Sequence, residues 1–379
     1  MKDQSSFIKE LSTFRKTLHQ YPEVAGEEQE TAKRVVDFVK VYEPDEVISQ
    51  IGGHGVAFVF KGEKPGKNTL IRAELDALPI KEANDFDHQS CVVGKSHKCG
   101  HDGHMVMVAG LAKQLQENRP KRGNVILLFQ PAEETGQGAQ AMVVDEQFLK
   151  LQPDYAFALH NLPGYPTGQV LLKQGAFAAA SRGMKIYLKG NTSHAAHPED
   201  GNSPALAMSQ LIVGLEKLPD AFKKFALVTV IHAQLGEVAF GTTPGEAVVM
   251  ATLRSFDDDT MAKLVNVSEE LARRICREKG LEVSFEYVED FSATINDAEA
   301  QEILVKAAKD LSIDTRTLTN PFRWSEDFGR FSQVAKTAMF GLGAGEKTPQ
   351  LHDSAYDFPD ELIPTGLSVF GQVITSLHY

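Results

Sequence analysis

Short apolar runs alternate with amphipathic helical patterns through the first 180 residues, and this alternation narrows the choice of fold more than any other feature. Residues 56–60 and 70–73 read as strands, and 125–129 and 155–159 are two further buried runs. Between and before them, Phe7, Leu11, Phe14 and Leu18 recur at helical spacing, as do Ala32, Val35, Val36 and Val39. Met105, Val108, Leu111, Ala112 and Leu115 line one face of another helix. Strands separated by helices predict an α/β layer, a mostly parallel sheet flanked by helices. Such sheets place their sites beyond the carboxyl ends of the strands. Glu74-Leu75-Asp76, Glu133-Glu134 and His160 stand at those ends.

From about residue 181 to 290 the order changes. A strand at 184–189 is followed by a helix marked by Ala205, Met208, Ile212 and Leu215, then by strand-like runs at 227–232 and 247–253. A helix carrying Met261, Leu264, Val265, Leu271 and Ile275 comes next, and 283–287 closes the set. This β-α-β-β-α-β order is the split, ferredoxin-like unit. Helix 298–311, a strand at 337–340 and a helix after Pro359 then resume the first pattern. At 379 residues the chain exceeds the usual size of a single core. The expected organisation is therefore a catalytic domain of residues 1–180 and 291–379, with an α+β domain of residues 181–290 inserted into it.

A net charge of −12 argues against a nucleic-acid partner, because phosphate binding needs concentrated positive charge. Residues 1–18 form a polar-flanked amphipathic pattern without a continuous apolar core, so neither a signal peptide nor a membrane span is expected. Three scattered cysteines, Cys91, Cys99 and Cys276, are too few for a disulfide framework, which points to a reducing cytoplasm.

Cys99-Gly100-His101-Asp102 puts a thiol and an imidazole two residues apart in a Gly-containing turn. Asp102 is expected to cap a helix starting at Gly103, leaving Cys99 and His101 on the loop before it. Glu133-Glu134 follows the run Val125-Ile126-Leu127-Leu128-Phe129 after Gln130-Pro131-Ala132. On extended backbone the two carboxylates point to opposite sides, one toward a metal and one toward substrate. A base beside a Lewis acid is what hydrolysis of an unactivated amide requires. Each residue also has a plainer reading: Cys99 as a small buried hydrophobe, His104 as packing, the Glu pair as a solvated strand end. By the same token His160 would be a satisfied core residue, and His352 and Arg254 surface residues.

Taken in order, Arg72-Ala-Glu-Leu-Asp-Ala-Leu-Pro79, Cys99-Gly-His-Asp-Gly-His104, Gln130-Pro-Ala-Glu-Glu134, Ala158-Leu-His160, Thr192-Ser-His-Ala-Ala196, Ala239-Phe-Gly-Thr-Thr-Pro-Gly245, Ser325-Glu-Asp-Phe328 and Leu351-His352 are highly specific. The chain resembles the dimetal aminoacylase/carboxypeptidase family of peptidases. Within it, the resemblance is to the amidohydrolase branch of hippurate hydrolase, N-acetyldiaminopimelate deacetylase and indoleacetyl-amino acid hydrolases. It implies two divalent metal ions per subunit, with Cys99, His101, Glu134, His160 and His352 at the ligand positions. Mixed S, N and O donors suit zinc, with manganese, cobalt or nickel as other occupants. It also implies Glu133 as general base, Asp76 as the aspartate that orients a ligand imidazole, and Arg254 as the grip on a substrate carboxylate. His194 matches the histidine that, in dimeric relatives, reaches a neighbouring subunit's site to stabilise the oxyanion. The inserted domain is then a lid and dimerisation domain, with Ile186, Leu188 and the helix through Leu215 expected to supply the homodimer contact. Glu74 stands where the branch usually carries Asp, and Lys98 replaces a customary small residue. Arg323-Trp324 stand where small or sulfur-containing residues are usual.

The function this implies is metal-dependent hydrolysis of an N-acyl amino acid, a small-molecule substrate, or of a dipeptide. Two other readings remain open on the residues alone. One is a cysteine amidase using Cys99 with His101. The other is a metal-binding protein without activity, against which the intact Glu133-Glu134 pair speaks.

Overall fold

The computed structural model describes residues 2–379, so Met1 of the amphipathic N-terminal stretch lies outside the described residues. The chain divides into two compact units. One holds the chain up to Phe177 together with Thr294–Asn320 and Asp327–Tyr379; the other holds Ala178–Ala293 and Pro321–Glu326.

In chain order the first unit opens with α1 (Lys2–Gln20), α2 (Gln29–Val39), β1 (Glu46–Ile51), β2 (Gly55–Lys61), β3 (Lys64–Glu74), α3 (His101–Glu117) and β4 (Arg122–Gln130). Then come α4 (Gly138–Val143), α5 (Glu146–Leu149), β5 (Tyr155–Leu162), β6 (Val170–Leu172) and β7 (Gly175–Ala178). The second unit contributes β8 (Ala180–Lys189), α6 (Ala205–Lys217), β9 (Ala226–Leu235), β10 (Glu246–Ser255), α7 (Asp258–Lys279) and β11 (Glu282–Phe291). The chain closes with β12 (Thr294–Asn296), α8 (Ala298–Asp310), β13 (Thr315–Thr317), β14 (Lys336–Gly343) and α9 (Ile363–His378).

The first unit is built on an eight-stranded sheet of order β1-β2-β4-β3-β5-β14-β6-β13. Its centre, β4-β3-β5-β14, is parallel throughout, while β1 and β2 extend one side antiparallel. Every residue of β5 is buried, as expected of a strand covered on both faces. That strand runs on through Leu162, so His160 and Asn161 belong to it and not to a following loop. Register brings the chemistry together: Glu74 pairs with Gln130, Ile71 with Phe157, and Gly341 with His160. The carboxyl ends of β3, β4 and β5 therefore lie side by side. On the helical side α3 packs against α1 and α9, and their apolar faces close one continuous core with the sheet.

The second unit is a four-stranded sheet of order β11-β8-β10-β9 with every pair antiparallel. Together with α6 and α7 this is the ferredoxin-like arrangement. Along β8, Met184, Ile186 and Leu188 are buried and alternate with Lys185, Tyr187 and Lys189 on the other face. The buried set meets Val249, Ala251 and Leu253 of β10 and Leu211 and Leu215 of α6. Asp257 caps α7 by accepting the Thr260 amide, and Gly280 ends it at φ +66°. The dimer surface expected at Ile186, Leu188 and Leu215 is corrected by this packing. These side chains form the unit's own core, and β8 is an interior strand with no free edge. Exposed apolar residues of this unit include Leu206 and Val213 on α6, Ile231 on the edge strand β9, and Val238 and Phe240 in the loop that follows β9.

Candidate active site

Helix α3 begins at His101, two residues earlier than expected, and its N-cap is Gly100 at φ +89°. A Cβ at Gly100 would stand 2.4 Å from Asn161 Oδ1, so glycine is required by both conformation and space. Asp102 is not the cap: it lies in the first turn, fully buried, where its Oδ2 accepts from Arg15 at 3.2 Å and from His19 at 2.9 Å. Cys99 and His101 thus flank a left-handed glycine, the thiol just outside the helix and the imidazole as its first residue.

The Glu133-Glu134 segment also departs from expectation. It is a turn, not extended backbone, because Ala132 adopts φ +51° and the Gly136 amide closes back on the Glu133 carbonyl at 2.8 Å. Both carboxylates consequently face His101 Nε2, Glu133 Oε2 at 3.7 Å and Glu134 Oε1 at 3.9 Å. Glu134 Oε2 lies 3.6 Å from His352 Nε2. His352 stands on an exposed turn at φ +66°, with its amide donating to the Lys98 carbonyl at 2.8 Å.

The remaining donors complete one cluster. Cys99 Sγ lies 3.5 Å from His160 Nε2. Cys99, His101 and His160 form a trio whose ligand atoms lie within 4.8 Å of one another, as do Cys99, Glu134 and His352, and His101, Glu133 and Glu134. The sulfur belongs to two trios and links them. His101 Nδ1 donates to the Asp76 carbonyl at 2.8 Å, and His160 Nδ1 donates to the Asn161 carbonyl at 2.8 Å. Those bonds fix which nitrogen keeps its proton, so in the neutral rings Nε2 carries the lone pair and faces the cluster. Asp76 also accepts the Glu134 amide at 2.9 Å through Oδ2.

The electrostatics ask for a cation. Burial disfavours a charge on His101, yet Glu74, Asp76 and Glu134 outweigh it and push its pKa up to about 10. Burial, reinforced by His104, pushes His160 down to about 3, which keeps it a neutral donor. His101 Nε2 is buried with no hydrogen-bond partner. A thiol, three imidazoles and a carboxylate converging on an unpartnered nitrogen fit divalent transition-metal ions.

Around the cluster the support is equally ordered. Both ring nitrogens of His104 are engaged, Nδ1 with Glu74 at 2.8 Å and Nε2 with Asn161 at 2.6 Å, so it braces the site and does not offer a ligand atom. Glu74 also bonds Arg72, whose guanidinium reaches Gln130 at 2.8 Å and Asp327 at 2.7 Å. The longer arm of Glu74 is thereby used to join Arg72 to His104. Lys98 is fully buried, its ammonium held by Glu82 and by the Tyr356 carbonyl at 2.7 Å. Glu82 continues through His19 to Asp102. This chain of buried charges was invisible in the sequence, and it anchors the Cys99 turn to α1.

The cysteine-amidase reading loses its pair here, since the imidazole in contact with Cys99 is that of His160 while His101 turns its Nδ1 to Asp76. His194 and Arg254 belong to the second unit. His194 is exposed, and its Nδ1 accepts the Ala196 amide at 3.0 Å, leaving Nε2–H as an outward donor. Arg254, at the end of β10, is half-buried and donates to the Arg323 carbonyl at 2.9 Å and to Ser325 Oγ at 3.0 Å. Among the described residues no carboxylate lies within ion-pairing distance of it; burial lowers its pKa, and the charge of Glu289 opposes that.

Comparison with known proteins decides the family. Residues 70–376 match the profile of peptidase family M20/M25/M40. The chain belongs to this family. It is 31% identical over 369 residues to hippurate hydrolase of Campylobacter jejuni, covering 96% of this chain and 95% of that protein. It is 27% identical over 372 residues to N-acetyldiaminopimelate deacetylase of Listeria innocua, covering 97% and 100%. Among solved structures, a dinuclear metal-binding peptidase of the M20 family from Bacillus subtilis superposes with a TM-score of 0.85 at 26% identity, covering 98% of this chain and 99% of that one. This M20 protein is accordingly a hydrolase of amide bonds, with a donor cluster suited to two divalent metal ions.

Proposed function

We propose that the protein hydrolyses the amide bond of N-acyl amino acids to a carboxylic acid and a free amino acid. The observation that carries this reading is the Glu133 carboxylate, 3.7 Å from His101 within the donor cluster. Two divalent ions held by Cys99, His101, Glu134, His160 and His352, zinc first and manganese, cobalt or nickel as alternatives, would polarise the scissile carbonyl and acidify the attacking water. Glu133 accepts a proton from that water and returns it to the leaving nitrogen. Asp76 orients His101 through its main-chain carbonyl and the Glu133-Glu134 turn through its carboxylate. Arg254, a half-buried cation without a carboxylate partner among the described residues, receives the substrate's α-carboxylate.

The same reading makes the second unit a lid and dimerisation domain. In a homodimer, His194 of one chain donates Nε2–H to the oxyanion formed in the other chain's site. Its Nδ1 bond to the Ala196 amide supports that role by presetting the donor tautomer. Leu206, Val213 and Ile231, exposed on α6 and the edge strand β9, supply apolar surface for the second copy. No helix among the described residues is long and apolar enough to cross a membrane. Three scattered cysteines are too few for a disulfide framework, and on that ground we place the enzyme in the cytoplasm.

The test is a screen of metal-reconstituted protein for release of free amino acid. The panel holds acetyl, benzoyl, succinyl and indoleacetyl amino acids, the matching amino amides, and dipeptides. N-acyl amino acids are expected to exceed the amides by about 10–100-fold in kcat/KM, the worth of a charge-assisted hydrogen bond. Preferential cleavage of dipeptides would make the protein a dipeptidase of the family instead, and no release from any member of the panel would refute the proposal.

A further inference from the structure

The turn that presents Glu133 is held from both sides by acids. On the far side, Asp76 Oδ2 accepts the Glu134 amide at 2.9 Å. On the near side, Glu28 Oε1 accepts the Ala132 amide at 2.8 Å. Ala132 is the residue that turns the chain, a non-glycine at φ +51°. L-residues adopt that conformation rarely, and it persists where the surroundings hold it. The Ala132 carbonyl is also in use, accepting the Gly138 amide at 3.0 Å and the Gln137 amide at 3.3 Å. Both backbone polar groups of Ala132, the residue preceding Glu133, are therefore tied down, and its amide is tied by a side chain from a distant segment.

Glu28 is buried at a cost, and the Ala132 amide joins the main-chain amides of Gly26 and of Glu28 itself as hydrogen-bond donors to its carboxyl. The residue lies just before α2 and is fully buried, and its other oxygen, Oε2, has no hydrogen-bond partner. A buried carboxyl with one oxygen unsatisfied opposes folding. Its side chain makes no cap hydrogen bond to the helix that follows it.

We infer that Glu28 is a positioning residue for the reaction. It pins Ala132 in the left-handed region and thereby aims the Glu133 carboxylate. This rests on the reading of Glu133 as general base. Misplacement of a catalytic group by about 1 Å costs up to ~100-fold in rate without loss of substrate binding. Removing the Glu28 oxygen should then act on kcat, spare KM and leave the metal ligands in place.

The experiment compares Glu28→Ala, Glu28→Gln, Ala132→Gly and the double variant Glu28→Ala/Ala132→Gly with the parent, and uses Glu133→Gln as the control for the base. Readouts are kcat, KM, metal content by mass spectrometry and helix content by circular dichroism. Glu28→Gln keeps an oxygen for the Ala132 amide and should retain kcat within about 2-fold, whereas Glu28→Ala should lose about 10–100-fold at unchanged KM and metal content. Glycine reaches positive φ without help, so Ala132→Gly in the Glu28→Ala background should recover part of that loss. If Glu28→Ala does not fold, Glu28→Met fills the space without an oxygen and carries the same expectation. Full kcat in a folded variant lacking the oxygen, loss of kcat together with metal, or no recovery in the double variant would each overturn the inference. Activity surviving in Glu133→Gln would instead refute the base assignment itself.

Discussion

Lys98→Met tests whether the buried charges behind the Cys99 turn hold it in place. The Lys98 ammonium is fully buried against Glu82 and the Tyr356 carbonyl, and methionine fills most of the same volume without the charge. Removing one partner of a buried pair costs about 3–5 kcal/mol, because the other charge stays buried. Glu82 keeps three donors, His19 at 2.9 Å, the Ser90 amide at 2.6 Å and Asn84 at 3.5 Å. Burial raises the Glu82 pKa while His19, Lys98 and Ser90 together bring it down to about 2, and after the substitution His19 and Ser90 still lower it. The expected loss is therefore at the lower end, about 3 kcal/mol. Chemical denaturation followed by far-UV circular dichroism measures it; Trp324, the single tryptophan, lies in the other unit and would report on the wrong one. Because the Lys98 carbonyl also receives the His352 amide, metal affinity should fall by about 10–100-fold, as for other groups that orient ligands. A stability change below about 0.5 kcal/mol, the range of ordinary surface substitutions, would refute the argument.

Three further outcomes follow from the proposed roles. Glu133→Gln should keep its metal content and lose roughly 10²–10⁴-fold in turnover, the worth of a positioned base; unchanged turnover in fully metallated protein would remove the assignment. Arg254→Ala should raise KM for N-acyl amino acids far more than for the matching amides, and equal losses on both would make the arginine structural. Glu133→Ala and His194→Ala homodimers should both be nearly inactive. Refolded together they should form about half mixed dimers, each with one complete site, so roughly a quarter of all sites recover. Mixed dimers that stay inactive would show that His194 does not act across the interface.

The strand ends made much of the site legible in advance. His160, Glu133 and Asp76 each follow an apolar run, and parallel register aligns the ends of such runs whatever lies between them. The turn at Glu133-Glu134 was not legible, because its cause is the backbone angle of Ala132, a residue type that seldom adopts positive φ. The cap of α3 was misread for a related reason. Asp102 is a good capping residue by type, but Arg15 and His19, over eighty residues away in sequence, claim its carboxylate. Lys98 and Glu28 look like surface residues when read locally, and only long-range partners make their burial possible. Ile186 and Leu188 could have been placed correctly, since their alternation with Lys185 and Tyr187 marks a core face.

If amide hydrolysis depends on metal ions held by the Cys99 cluster, activity follows metal content. The most direct measurement follows the release of free amino acid by protein stripped with chelator, with residual metal determined on the same sample, and then on adding back zinc, manganese, cobalt or nickel. No release is expected from the stripped protein, with recovery that saturates near two ions per chain and protection of Cys99 from alkylation over the same titration. Full release after verified removal of metal would contradict that dependence.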